Sequence, residues 1–441
     1  MKSLRCAGVA VVVCTACTDR DLQGTAEPTP LPPDVDLGAF AGAGAVPNAT
    51  ATDWFPSILG PGDLDGDGQD DLVLIGLGEV DVALECAALL GGPGFGATLR
   101  ETPALRWRES PNGGWAMAAG DVDADGLGDL VSLGDGNAIK HWATLQAMAE
   151  GGAPGRFPLH RLDHLRRLSG IGDVDGDGAG ELAADEGGPW WSDLDSVVAV
   201  VGRVGGDWVV KAELLGWVAV DGPTDFDGDG FGDLVLGKGE DVEHYAVAFG
   251  RGDASFELGE VLPTPAVPRA SGDLDGDGAD DLLVVDAGAD DVHRVGWVRG
   301  GSRGPAALEW LTSVDLGEHN CPGCFLAATV VGDINGDGRS DVALGYQTLT
   351  PDVRDCWLAF PEEGQGCDPT GVVRVEIHLG PPMPGWPVHS VLVDRGPGTI
   401  DQLHGLGDLD GNGMADFVVG RTGFAADPGA AFVVLGAADS R

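Results

Sequence analysis

Residues 63–71 read Asp63-Leu64-Asp65-Gly66-Asp67-Gly68-Gln69-Asp70-Asp71, a D-x-D-x-D-G-x-x-D pattern that returns six more times, starting at Asp121, Asp173, Asp225, Asp273, Asp333 and Asp408. The intervals of 58, 52, 52, 48, 60 and 75 residues describe one repeat unit with connections of variable length. Chance does not supply seven such matches in 441 residues, so the chain is read as an array.

The spacing carries a chemistry. Side chains at loop positions 1, 3 and 5 turn inward together, glycine at position 6 permits the sharp turn, position 7 adds a backbone carbonyl, and a carboxylate at position 9 closes the shell. The expected ligands are Asp63, Asp65, Asp67, Gln69 and Asp71; Asp121, Asp123, Asp125, Leu127 and Asp129; Asp173, Asp175, Asp177, Ala179 and Glu181. They continue with Asp225, Asp227, Asp229, Phe231 and Asp233; Asp273, Asp275, Asp277, Ala279 and Asp281; Asp333, Asn335, Asp337, Arg339 and Asp341; Asp408, Asp410, Asn412, Met414 and Asp416. Gln69, Leu127, Ala179, Phe231, Ala279, Arg339 and Met414 would serve through their carbonyls. Hard oxygen ligands in a flexible loop select calcium, and up to seven ions are expected.

An EF-hand would need a Glu at position 12, where this chain has Leu74, Ser132, Ala184, Leu236, Val284, Leu344 and Val419. Each loop instead runs into a short apolar stretch such as Asp71-Leu72-Val73-Leu74-Ile75-Gly76, which reads as a buried strand. Another apolar piece precedes most loops, as in Trp115-Ala116-Met117-Ala118-Ala119-Gly120. A third strand follows, seen in residues 196–202 and 245–250, and then an amphipathic fourth, seen in residues 208–214. Four strands per repeat in a sevenfold array predict an all-β, seven-bladed β-propeller with a calcium-binding loop in each blade.

These loops and strands resemble FG-GAP or VCBS repeats, the family that includes the N-terminal propeller of integrin α subunits. The resemblance covers roughly residues 37–441 and implies a propeller whose calcium ligands fall on the Asp, Asn and Glu residues above. The Phe-Gly and Gly-Ala-Pro words that name the repeat are largely eroded, as in Leu234-Val235-Leu236-Gly237-Lys238-Gly239.

Composition agrees with a metal-bearing array. With 25 basic against 71 acidic residues the net charge is −46, which excludes a nucleic-acid binder and an anionic-lipid binder. Four acidic ligands in five loops and three in the other two account for 26 of those acids. At 43% hydrophobic residues with 12 Trp, the chain is not a solvated acidic polymer.

The N-terminus reads as an address. Lys2 and Arg5 precede the apolar run 6–13, then Cys14-Thr15-Ala16-Cys17, the layout of a signal peptide over residues 1–17. It resembles a bacterial lipoprotein signal in which Cys17 is lipidated, with plain cleavage near Ala16 as the alternative. A Pro-rich linker, 18–36, would hold the propeller, 37–441, away from a membrane. The expected location is a bacterial cell surface or outer membrane, otherwise the periplasm or medium. Part of Asp34–Val46 is expected to supply the outer strand of the last blade, whose own strands run out near Gly436.

Cys321, Cys324, Cys356 and Cys367 favour two disulfides in an exported chain, with a zinc site as the alternative and no connectivity assignable. Cys86 reads as a buried strand residue. His160 and His164, four apart on an extended chain, lie about 13 Å from each other, too far to share an ion. Arg251-Gly252-Asp253 reads as a hairpin turn rather than an adhesion motif. Trp190, Trp357 and Trp386 on loops could stack on sugars.

No Gly-rich phosphate loop, nucleophile elbow or Ser-His-Asp arrangement is legible, so no catalytic residue is assigned. The expected function is a surface-displayed, calcium-stabilised binding, adhesion or scaffold module, a monomer, whose partner is an extracellular protein or glycan. The alternative is a secreted, lyase-like polysaccharide enzyme using His389 or His404 with Arg395.

Overall fold

Each turn that interrupts an apolar run folds the run back on itself, and in the computed structural model the regular elements among the described residues are accordingly all strands. It describes residues 9–13, 35–36, 57–76, 84–93, 95, 105–109, 116–134, 138–142, 153–156, 165–186, 196–238, 244–262, 267–287, 292–303, 307–315, 326–349, 371–394, 399–422 and 430–437. Among the described residues no helix is long and apolar enough to cross a membrane.

Two strands come first, β1 (Val9–Val13) and β2 (Val35–Asp36). The first blade holds β3 (Ser57–Gly62), β4 (Asp71–Gly76), β5 (Leu84–Leu89) and β6 (Leu105–Glu109). The second holds β7 (Ala116–Gly120), β8 (Asp129–Gly134), β9 (Ala138–Trp142) and β10 (Ala153–Arg156). The third holds β11 (Leu165–Gly170), β12 (Leu182–Glu186), β13 (Val197–Val204) and β14 (Asp207–Leu215). Then come β15 (Val218–Thr224), β16 (Asp233–Lys238), β17 (His244–Gly250) and β18 (Phe256–Val261), followed by β19 (Val267–Gly272), β20 (Asp281–Ala287), β21 (Val292–Val298) and β22 (Leu308–Asp315). The C-terminal part holds β23 (Ala327–Gly332), β24 (Asp341–Leu349), β25 (Gly371–His378) and β26 (Ser390–Asp394), and finally β27 (Thr399–Gly407), β28 (Asp416–Thr422) and β29 (Ala430–Leu435).

The architecture is an all-β propeller, but the expectation of seven four-stranded blades is corrected. Six blades are four-stranded, not seven; the remaining sheet has five strands in the order β2-β26-β25-β24-β23. The extra strand is β2, whose Val35 and Asp36 pair in parallel with Leu392 and Val393 and so cover an edge that would otherwise be bare. The predicted closing strand is corrected with it. Val35–Asp36 joins this sheet, and the last blade, order β1-β29-β28-β27, is completed by Val9–Val13 running parallel to Ala431–Leu435. A run of Val-Ala-Val-Val-Val has the β-branched composition that strand pairing favours.

Innermost strands β3, β7, β11, β15, β19, β23 and β27 each neighbour the next, and β27 returns to β3. The core lies between neighbouring sheets. Val331, Val373, Val375 and Leu392 pack on Phe417, Val419 and Phe432. Ile58 and Leu72 of the first blade pack on Leu406, Leu409, Val418 and Val433 of the last. Leu72, Val418 and Val433 are fully buried, worth about 1.5–3 kcal/mol each.

Candidate metal centre

Every D-x-D-x-D-G-x-x-D loop sits between the first and second strands of its sheet, and its residue pattern builds the same frame each time. The amide of the glycine at position 6 donates to the position-1 carboxylate, from Gly68 to Asp63 at 2.8 Å through Gly413 to Asp408 at 2.7 Å. The position-7 amide donates to the position-5 side chain, as Gln69 to Asp67 and Met414 to Asn412. The amide at position 2 donates to the position-9 carboxylate: Leu64 to Asp71 at 2.7 Å, Val122 to Asp129, Val174 to Glu181, Phe226 to Asp233, Leu274 to Asp281, Ile334 to Asp341 and Leu409 to Asp416. In five loops the second oxygen of position 9 accepts from a glycine amide at or just past the end of the third strand: Gly91, Gly250, Gly300, Gly380 and Gly436.

Position 2 carries a second duty that the acidic pattern hides. Leu64, Val122, Val174, Phe226, Leu274 and Leu409 are at most 1% exposed, so six loops are each pinned into the core by one apolar side chain, while Ile334 of the remaining loop is half-buried. Position 4 also matters, because the backbone there is left-handed: φ is 80° at Gly66 and 60° at Ala124, where glycine is replaced.

Loops are tied to one another. The position-8 amide of each donates to the position-1 carbonyl of the loop before it: Gly128 to Asp63, Gly180 to Asp121, Gly232 to Asp173, Asp280 to Asp225, Ser340 to Asp273, Ala415 to Asp333 and Asp70 to Asp408. The circuit therefore closes on itself. Position 8 was not among the expected functional positions, since its residue types (Asp, Gly, Ser, Ala) share no side-chain chemistry.

Carboxylate oxygens of Asp63, Asp65 and Asp71 lie within 4.8 Å of one another, as do those of Asp121, Asp123 and Asp129; Asp173, Asp175 and Glu181; Asp225, Asp227 and Asp229; and Asp273, Asp275 and Asp281, with one further group. Six such groups lie among the described residues. Neutral Asn335 and Asn412 dilute two of the loops. In four of the named groups the triplet uses positions 1, 3 and 9, leaving Asp67, Asp125, Asp177 and Asp277 outside it. Buried Asp123 Oδ1 and Asp275 Oδ1 have no hydrogen-bond partner. An all-oxygen, anionic donor set with unsatisfied atoms fits a hard cation.

Burial sets the electrostatics. Desolvation pushes Asp71 up to about 6, Asp233, Asp281 and Asp416 to about 7, and Asp341 to about 8, against backbone hydrogen bonds that pull the other way. Neighbouring loop carboxylates add to the rise. Basic side chains answer some of this charge. Arg303 pairs with Asp227 and, at 2.7 Å, with Asp229; Arg299 lies 2.7 Å from Asp275 and 2.9 Å from Asp277; Arg203 lies 3.1 Å from Asp123. His141 Nε2 stands 3.1 Å from Asp129 Oδ1. Lys211 Nζ meets three carboxylates in the third loop, at 2.6 Å from Asp175, 2.7 Å from Glu181 and 3.0 Å from Asp177. Burial alone would lower the Lys211 pKa, and the hydrogen bonds to Asp175, Glu181 and Asp177 outweigh it, leaving it above its ordinary value.

Other expected site residues fall elsewhere. His404 Nε2 lies 3.0 Å from the carbonyl of Ile58, in the seam between the last blade and the first, and desolvation lowers its pKa. The amide of His389 donates to Ile377 O. Trp386, expected on an exposed loop, is 3% exposed; its Nε1 donates to Leu379 O and its ring lies 5.2 Å from that of His378. Arg251-Gly252-Asp253 forms the turn between β17 and β18, where Arg251 pairs with Glu257 and Asp253 accepts from the Ser255 amide. Cys17, His160, His164, Trp190, Cys321, Cys324, Cys356, Trp357, Cys367 and Arg395 lie outside the described residues.

No family model matches the chain. It is 31% identical over 228 residues to integrin alpha-PS2 of Drosophila melanogaster, an alignment that takes in 47% of this chain and 15% of that protein. The chain thus carries an integrin α-like β-propeller and spans a small part of that relative's length. Among solved structures, AofleA from Arthrobotrys oligospora aligns at 11% identity over 84% of this chain and 97% of its own, with a TM-score of 0.34. The Dos1 propeller aligns at 12% identity over 84% of this chain and 90% of its own, with a TM-score of 0.40.

Proposed function

We propose that this chain is an exported, calcium-stabilised propeller that works as a binding or scaffold module. One observation carries the reading: carboxylates two to eight positions apart converge in loop after loop on frames already fixed by backbone amides. Calcium is the cation that best suits flexible loops of carboxylate and carbonyl oxygens. Position-1, -3 and -9 side chains, with the Asn335 and Asn412 amide oxygens, would hold it, and it would supply charge neutralisation where Asp71, Asp233, Asp281, Asp341 and Asp416 are desolvated. Similarity to an integrin α propeller supports an extracellular setting and a recognition role. A leader ending at Cys17 would deliver the chain to a cell surface. The partner is an extracellular protein or a glycan, met on the face opposite the loops.

Calcium titration of the full chain, followed by intact-mass measurement under native conditions and by thermal melting, tests the metal. Millimolar-range calcium, the usual affinity scale of extracellular modules, should raise the melting temperature over that in chelator. Identical melts with no bound ion would sink the reading. Incubating the calcium-loaded chain with a polysaccharide panel, and reading retained sugar and released product together, tests the role: retention supports a glycan-binding module, and product release would replace it with an enzyme.

A further inference from the structure

The third loop departs from its siblings at three places at once. Position 9 is Glu181 where every other copy has Asp, so its carboxylate reaches one methylene further. Its Oε1 accepts from Lys211 Nζ at 2.7 Å, where five siblings accept from a glycine amide past the third strand. Gly202 on β13 is the third change in environment. A Cβ there would stand 2.5 Å from Lys211 Cε and 2.6 Å from Glu181 Oε1, so the missing side chain is the channel through which the lysine enters from β14.

Lysine carries three N–H donors and no acceptor. Here three carboxylates, those of Asp175, Asp177 and Glu181, surround one ammonium, and the Lys211 side chain is only 6% exposed. The arginines at other loops are more exposed, Arg203 at 22%, Arg303 at 36% and Arg299 at 56%, on flexible stems that water screens and that can swing aside. We infer that the Lys211 ammonium is the resident cation of the third loop, filling the place that calcium takes in its siblings, so that this loop is fixed without metal. The inference rests on the calcium reading of those siblings. It makes the propeller metal-dependent around most of its ring and metal-independent at one point.

Two measurements on the full chain test it. Hydrogen exchange of the wild-type protein in chelator and in calcium should show slowing at residues 63–71 and 408–416 and no change at residues 173–181. Lys211→Met, similar in volume and uncharged, should then bind one calcium ion more than wild type by native mass measurement, with residues 173–181 now slowed by calcium. Arg299→Met, which removes an exposed pair, should leave the ion count unchanged and so separates charge removal in general from this site. If Lys211→Met fails to fold in chelator, calcium should restore it, and Gly202→Ala, which crowds the lysine, gives a second variant expected to loosen residues 173–181 in chelator. Slowing at residues 173–181 in wild type equal to that at the other loops would overturn the inference while leaving calcium binding intact. No slowing at any loop and no bound ion would overturn the calcium reading, and this inference with it.

Discussion

Asp70 and Asp408 hold each other by two hydrogen bonds: Asp408 N donates to Asp70 Oδ2 at 2.7 Å and Asp70 N donates to Asp408 O at 3.1 Å. These residues are 338 apart in sequence, and the pair joins the first loop to the last. Asp280 and Asp225 repeat the arrangement, with Asp225 N donating to Asp280 Oδ2 at 2.8 Å.

Asp70→Ala should therefore weaken the seam where the ring closes. Losing a hydrogen bond to a charged acceptor costs about 1.5–3 kcal/mol. Denaturant unfolding of the variant should show a lower midpoint with an unchanged slope. Asp280→Ala should cost a similar amount, and a neutral result at both positions would mean that the amides alone carry the circuit.

In chelator, stability should fall as pH rises. Desolvation lifts the folded-state values of Asp71, Asp233, Asp281, Asp341 and Asp416 to between about 6 and about 8, above their unfolded values. The native state then binds more protons than the unfolded one, so the contribution is full below the unfolded values and is lost as pH rises through the folded ones. Each unit is worth about 1.4 kcal/mol, so the melting temperature should drop by about 5 °C or more between about pH 5 and about pH 8. Calcium should flatten the profile, because it favours the ionised form.

Ala124→Gly should stabilise the protein. Ala124 sits at φ 60°, a conformation that costs an L-residue energy and glycine nothing. The gain should be about 0.5–1 kcal/mol after the entropy glycine adds to the unfolded chain. A loss on chemical denaturation would show that the strain is absorbed elsewhere.

Trp386→Ala should destabilise by about 3–5 kcal/mol, the range for removing a large buried aromatic. Its ring packs in the cluster with Leu326, Val342 and Leu344, and its indole N–H is paired. Equal sugar retention per folded molecule before and after the substitution, read beside the melt, would separate this packing role from recognition.

Much of this was legible because the loops repeat. Asp63, Asp65, Asp71 and their counterparts stand out by spacing, and the apolar run after position 9 marks β4, β16 and β28 plainly. What repetition cannot show is whatever differs between copies or comes from far along the chain. Lys211 lies 30 residues beyond Glu181, on a strand whose alternation reads as ordinary amphipathicity. Position 8 contributes through its backbone, so its varied side chains conceal a shared bond. Val9–Val13 and Val35–Asp36 add themselves to edges in parallel, and strand composition alone does not say which edge a run will choose. Trp386 lies on a loop, as the Gly and Pro around it indicate, yet that chain reversal tucks its indole inward, which loop composition does not reveal.

The loop-to-loop circuit gives the molecule a seam that owes nothing to its ends. Because the same amide-to-carbonyl bond recurs from Asp63–Gly128 round to Asp408–Asp70, any connection between sheets is a candidate place to open the chain, provided the two old ends are joined by a linker. A permuted polypeptide beginning after β14, for instance, would inherit every clasp. By the same token, loss of Val9–Val13 on removal of a leader would strip an outer strand from β29 and leave the hub of the wheel closed.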